Sequence, residues 1–248
     1  MRTKLLRALL VRTLAILLTA SSVATAETLD RLEVEKIIRE YILENPEIIE
    51  EALIELENRS QRAQEEARAE TIQAEQDALL RSDADLVLGN PDGDVTLVEF
   101  FDFNCGYCKR AFPDVQALLA EDAQLRVVLK DFPILGPGSV EAAKVALAVK
   151  RLGGAASASD FHARLMDTQG QANAGRALAL VEEMGLDRAR VEIEMQSPEI
   201  EAVISSNLDL AQRLGLTGTP SFVIGDRIVV GAVGKEPLAD AVRSAREE

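Results

Sequence analysis

The sequence holds two cysteines, and they stand three positions apart as Cys105-Gly106-Tyr107-Cys108. A bond between them closes a very small loop, and small loops gain least from a cross-link. The spacing therefore favours a reactive pair over a structural staple. Thiol-disulfide exchange needs a thiolate to attack, a second thiol to resolve the mixed disulfide, and a geometry that offers only the first. Cys-X-X-Cys opening a helix meets all three needs. The helix N-terminus stabilises a thiolate on Cys105 through its unpaired N–H groups and dipole. Cys108, one turn further in, is expected to be more buried and to act as the resolver. Gly106 and Tyr107 set which N–H groups and what polarity face the first sulfur, so they tune its reducing power.

Two other chemistries fall away. Haem attachment of the c type needs histidine directly after the second cysteine, where Lys109 stands. A structural zinc site needs four ligands, and the chain offers the two cysteines and one histidine, His162, in a distant segment. Zinc or copper is left only a partial site or one between subunits. No cofactor is implied.

Glu99 interrupts the apolar run Val95, Leu97, Val98, Phe100 and Phe101. Desolvation raises the pKa of such a carboxyl, which suits it to accept the Cys108 proton during resolution. Lys130, at the end of the following strand, is expected near enough to modulate that titration. The bland readings are a partly exposed strand end for Glu99 and an ordinary surface lysine for Lys130. Thr219-Pro220, before a late strand, is a candidate substrate-binding turn: a cis bond there leaves the Thr219 backbone free to pair with an extended client. His162 reads as packing or surface, and Met166, Met184 and Met195 as core residues.

These residues need a frame to hold them. Val95 to Phe101 is a strand apolar on both faces, which belongs inside a covered sheet. The cysteine pair follows it, then a helix through Ala111, Val115, Leu118 and Leu119, then a strand from Leu125 to Leu129. Strand, helix and strand in this order make a βαβ unit with a parallel, right-handed crossover. Leu86 to Leu88 is a further short strand. Nearly everything from Pro137 to Leu216 reads as helix, broken at Gly153-Gly154, Gly170 and Gly185. Ser221–Ile224 and Arg227–Val230 flank Gly225-Asp226 as a hairpin, and a last helix runs from about Lys235 to Arg246.

The segment before the sheet differs in kind. Residues 1–26 combine Arg2, Lys4, Arg7 and Arg12, an apolar run from Leu14 to Leu18, and Ala24-Thr25-Ala26. That is the layout of a cleavable secretory signal with its cut after Ala26, and it predicts a periplasmic protein. Leu32, Val34, Ile37, Ile38, Tyr41 and Ile42 then recur at near-helical spacing. Asn45-Pro46 ends that helix and starts another, with asparagine as its cap. Ile49, Ala52, Leu53 and Leu56 continue the stripe, and Glu57 to Asp77 is charged enough to read as a solvated stalk. Residues 27–82 are thus expected to form an oligomerisation arm joining copies of the chain, with a hairpin folded onto the main domain as the alternative. Lys and Arg number 27 against 42 Asp and Glu, a formal net charge of −15, which gives nucleic-acid binding no electrostatic footing.

The strand, Phe101-Asp102-Phe103-Asn104, Cys105-Gly106-Tyr107-Cys108, the helical insertion, Thr219-Pro220 and the terminal hairpin together resemble the DsbA-like branch of the thioredoxin superfamily, from about residue 84 to 248. The resemblance implies an α/β thioredoxin-like fold over 83–248, with a helical insertion at about 138–215. It also implies Cys105 as nucleophile, a cis Pro220, a buried acid at Glu99 and a strand-end lysine at Lys130. Strongly oxidising DsbA proteins carry Pro-His between the cysteines, whereas Gly106-Tyr107 and Thr219 look like DsbC-type isomerases and the arm looks like that of ScsC-like proteins. The expected activity is formation or isomerisation of disulfides in exported, cysteine-bearing proteins, with a membrane redox partner to reload the pair. A copper-handling or chaperone-like binding protein using the same thiols is the alternative.

Overall fold

The computed structural model describes residues 30–247, so the expected signal with its cut after Ala26 lies outside the described residues. Those residues fall into two compact units that part between Ser60 and Gln61.

The first unit opens with α1 (Arg31–Glu44) and continues into α2 (Glu47–Ala74). The Asn45 side chain donates to the Tyr41 carbonyl at 2.8 Å, so it closes the helix behind it rather than capping the one ahead. The apolar stripe forms as its periodicity predicts, and among the described residues it is left largely bare. No residue of α1 is buried, and Leu32, Ile37, Ile38, Tyr41, Leu43, Ile49, Leu53 and Leu56 are 46–73% exposed.

The second unit is organised by a five-stranded sheet: β1 (Leu86–Gly89), β2 (Val95–Phe101), β3 (Leu125–Asp131), β4 (Ser221–Ile224) and β5 (Arg227–Val230). Their order is β1-β3-β2-β4-β5. Only β2 and β3 run parallel, joined through α4 (Gly106–Glu121); the other neighbours are antiparallel. The short α3 (Gln76–Leu80) precedes the sheet. The insertion comprises α5 (Pro137–Asp167), α6 (Ala174–Glu183), α7 (Arg188–Glu194) and α8 (Pro198–Arg213), and α9 (Lys235–Glu247) ends the fold. Gly154 breaks α5 at φ +74°, a backbone conformation that costs glycine little and a β-carbon much. Among the described residues, no helix is long and apolar enough to cross a membrane.

Both faces of the sheet are covered, which is why β2 is apolar almost throughout. On one face Leu97, Phe101, Val127 and Leu129 pack with Val115 of α4, Phe161 of α5 and Val242 of α9. On the other, Val98, Phe100 and Val128 meet Leu210 and Leu214 together with Ile72 and Leu79. The last two fall in or beside the stretch expected to be a solvated stalk, and they are 4% and 1% exposed. Single apolar residues among Glu, Gln and Ala raise no stripe of their own. Their burial becomes evident only once the second face of the sheet needs a cover.

Candidate active site

The sheet brings the chemistry together at the carboxyl end of β2. That strand ends at Phe101, and three residues lead to Cys105, which is the N-cap of α4. β4 runs antiparallel beside β2 with Ser221 opposite Phe100, so the turn that feeds β4 arrives at the same end. That turn contains Thr219–Pro220, and its peptide bond is cis. In consequence Cys105 Sγ donates to the Thr219 carbonyl at 3.2 Å and accepts from the Cys108 N–H at 3.4 Å.

Both cysteines are free thiols. Cys108 is sealed at 0% exposure, and Cys105 reaches only 5%, a smaller contrast than the motif suggested. The open surface beside the sulfur belongs to Gly106 and Tyr107, which are exposed. Burial pushes the Cys108 thiol far up, and the nearby Glu99 and Cys105 push it further. Glu99 is 3% exposed, and burial alone raises its carboxyl to about 8. At neutral pH it therefore holds its proton most of the time.

Lys130 is not part of this group. Strand side chains alternate between faces, and Glu99 is in register with Leu129 while Lys130 pairs with Phe100. Lys130 therefore lies on the face away from Glu99, where its ammonium meets Asp85 at 2.5 Å with both side chains buried. Placing it beside Glu99 overlooked this one-residue parity.

Several supporting residues were not foreseen. Asp102 accepts the backbone N–H of Asn104 at 2.7 Å and that of Leu135 at 3.0 Å. Asn104 grips the insertion by accepting from Ala172 N at 2.7 Å and donating to the Ala172 carbonyl and to Ser139 Oγ, both at 2.9 Å. Lys109 donates to the Thr168 carbonyl. His162 is buried among Phe101, Phe103 and Phe112, with ring centroids 4.7–5.6 Å away, and burial lowers its pKa to about 3. A neutral imidazole thus wedges the insertion against the redox loop, which is the packing role. Two Asx residues in a tight strand-to-helix loop were the available signal for Asp102 and Asn104. Asp131 is a second buried acid on the Glu99 face, raised to about 8 by burial, then by Asp85 and Asp102. Its Oδ1 has no hydrogen-bond partner among the described residues. Also among these residues, no three His, Cys, Asp or Glu side chains group as metal ligands would.

Comparison with known proteins agrees with this geometry. A DSBA-like thioredoxin domain matches residues 96–243, and a domain described as the copper resistance protein ScsC N-terminal domain matches residues 30–64. A thioredoxin-like oxidoreductase from Silicibacter pomeroyi superposes with TM-score 0.66 at 45% identity, covering 69% of this chain and 98% of the other. Proteus mirabilis ScsC, in a transitional conformation, does so with TM-score 0.65 at 29% identity over 90% and 98%. The thiol-disulfide exchange protein alpha-DsbA2 from Wolbachia pipientis gives 0.68 at 29% over 73% and 97%. Among curated proteins, an Na(+)/H(+) antiporter NhaA from Salinispora arenicola is 31% identical over 165 residues, 66% of this chain. The match spans about a quarter of that relative's length, 25%. The cysteine-opened helix, its cis-proline neighbour and these matches lead to one statement: the chain belongs to the DsbA-like thioredoxin-domain family of thiol-disulfide oxidoreductases.

Proposed function

We propose that the chain forms or isomerises disulfides in exported proteins, outside the cytoplasm, with Cys105 carrying the mixed disulfide. The observation that carries this reading is the position of Cys105 Sγ between the Cys108 N–H and the Thr219 carbonyl. The N–H supports a thiolate, and the Thr219 backbone offers a pairing edge to an extended client. Gly106 and Tyr107 tune the sulfur, and Pro220 sets the turn that carries Thr219.

In the oxidising direction a client thiolate attacks Cys105 of the disulfide form. The Cys105–Cys108 bond breaks, its electron pair goes to the Cys108 sulfur, and protonated Glu99 supplies the proton that sulfur takes up. A second client thiolate then attacks the mixed disulfide and displaces Cys105, which leaves the client oxidised and the pair reduced. In isomerisation the reduced Cys105 attacks a client disulfide, and a different client thiol displaces it. A carboxyl with its pKa near 8 serves both directions, because it donates below that pH and accepts above it. A membrane redox partner restores the pair.

The arm is read as the element that joins copies of the chain. Its bare apolar stripe supports this, since contiguous exposed apolar surface of that kind marks association. Within the stretch read as the arm, Ile72 and Leu79 pack into the core of the second unit, so the joining role is assigned to the helical residues before Gln61. Refolding of a scrambled-disulfide client beside oxidation of a reduced one tests the activity: isomerase and oxidase each score in one assay, and silence in both removes the enzyme reading. Copper handling by the same thiols is the second reading, favoured by the description of the domain matched at 30–64. Undiminished copper stoichiometry in Cys105→Ser would remove its thiol-based form.

A further inference from the structure

Acidic residues outnumber basic ones 42 to 27, so each cation has carboxylates to choose among. Lys144, Arg151, Arg213, Lys235 and Arg246 all take one. Three cations near the redox pair do not, among the described residues. Lys109 donates a hydrogen bond to the Thr168 carbonyl. Arg110 lies over the Tyr107 ring, 5.1 Å from its centroid, and that ring is 58% exposed between the two cysteines. Arg176 is exposed at the start of α6. It lines a surface cavity together with Thr168, the residue that Lys109 contacts, and after burial its charge lowers the Lys109 pKa, with Asp167 a weaker opposing influence.

The position of this group gives it a partner. Arg110 follows Cys105 by five residues, an axial rise of about 7.5 Å along the helix, which is of the order of the Debye length of about 8 Å at physiological ionic strength. A client strand held at Thr219 with its cysteine on Cys105 carries its neighbouring side chains past this rim. The overall negative charge repels acidic clients at long range, but salt screens that field while the local rim acts within screening distance.

We propose that Lys109, Arg110 and Arg176 form a cationic rim that makes the site selective for client cysteines flanked by aspartate or glutamate. The selectivity rests on the exchange chemistry at Cys105 set out above. It acts on the encounter and on the lifetime of the bound client, where complementary charge has its main effect.

The test uses the full chain in its reduced form, reacted in single turnover at about 0.15 M salt with three disulfide-bonded peptides. The peptides are identical except that Asp, Lys or Ser flanks the cysteines. Each turnover oxidises the protein dithiol and reduces the peptide disulfide to two thiols. The Asp peptide is expected to react about three- to tenfold faster than the Lys peptide. In Arg110→Glu/Arg176→Glu that ratio is expected to fall to one or below. Because the ratio is internal to each variant, a general loss of activity cancels. A ratio of one or less in the native chain, or one the double substitution leaves unchanged, overturns the rim. Failure of the native chain to react with the Ser peptide instead overturns the exchange chemistry itself.

Discussion

Replacing Glu99 by glutamine is expected to stabilise the reduced protein by an amount that grows with pH. The carboxyl titrates near 8 in the folded chain and has an ordinary value of 4.5. Between those values the unfolded chain has released the proton and the folded chain retains it, so folding takes a proton from solvent. Stability therefore falls as pH rises through this window, by about 1.4 kcal/mol per unit for one group. At pH 7.5 the deficit reaches about 4 kcal/mol, on its way to a ceiling of about 5 kcal/mol above pH 8, and at pH 4 it is close to zero. Glutamine keeps the neutral shape and cannot ionise, so the difference between variant and native chain should trace that deficit. Asp131 imposes the same slope on both proteins, and His162, whose pKa is depressed, opposes it only below about 6.5; both cancel in the comparison. Urea unfolding of the two reduced proteins from pH 4 to 7.5 measures it. A stability difference that stays flat across this range would refute a neutral, buried Glu99.

Asp85→Ala should cost about 3–5 kcal/mol in chemical unfolding, because it leaves the Lys130 ammonium buried without its partner; adding Lys130→Met should recover most of the loss. A form lacking residues 27–60 is expected to fold and to scatter light as a monomer. One lacking 27–82 should also lose about 1.5–3 kcal/mol for each of the core residues Ile72 and Leu79. Asn104→Ala removes the grip on Ala172 and Ser139 and should lower stability by about 1–3 kcal/mol, with faster hydrogen exchange at the Ala172 amide.

What could be read from the sequence depended on whether a residue's role was local. The cysteine pair, the apolar strand before it and the Gly225-Asp226 hairpin carry their structure in adjacent residues, and each was legible. Glu99 stood out because a carboxyl inside an otherwise apolar strand must be exposed, paired or neutral. Lys130 was misplaced because its partner depends on strand register, and a shift of one residue exchanges the faces of the sheet. Ile72 and Leu79 were passed over for a related reason: their core partners, Val98 and Phe100, lie across the sheet and far along the chain. Asn104 and His162 act through an insertion whose docking no local pattern encodes.

The central claim is that Cys105 receives the client and Cys108 resolves. Mass spectrometry of Cys108→Ser and Cys105→Ser, each mixed with a disulfide-bonded peptide, tests it directly. The account predicts a peptide adduct trapped on Cys105 in the first variant and none in the second. An adduct on Cys108 in the second variant, or no adduct in the first, would contradict it.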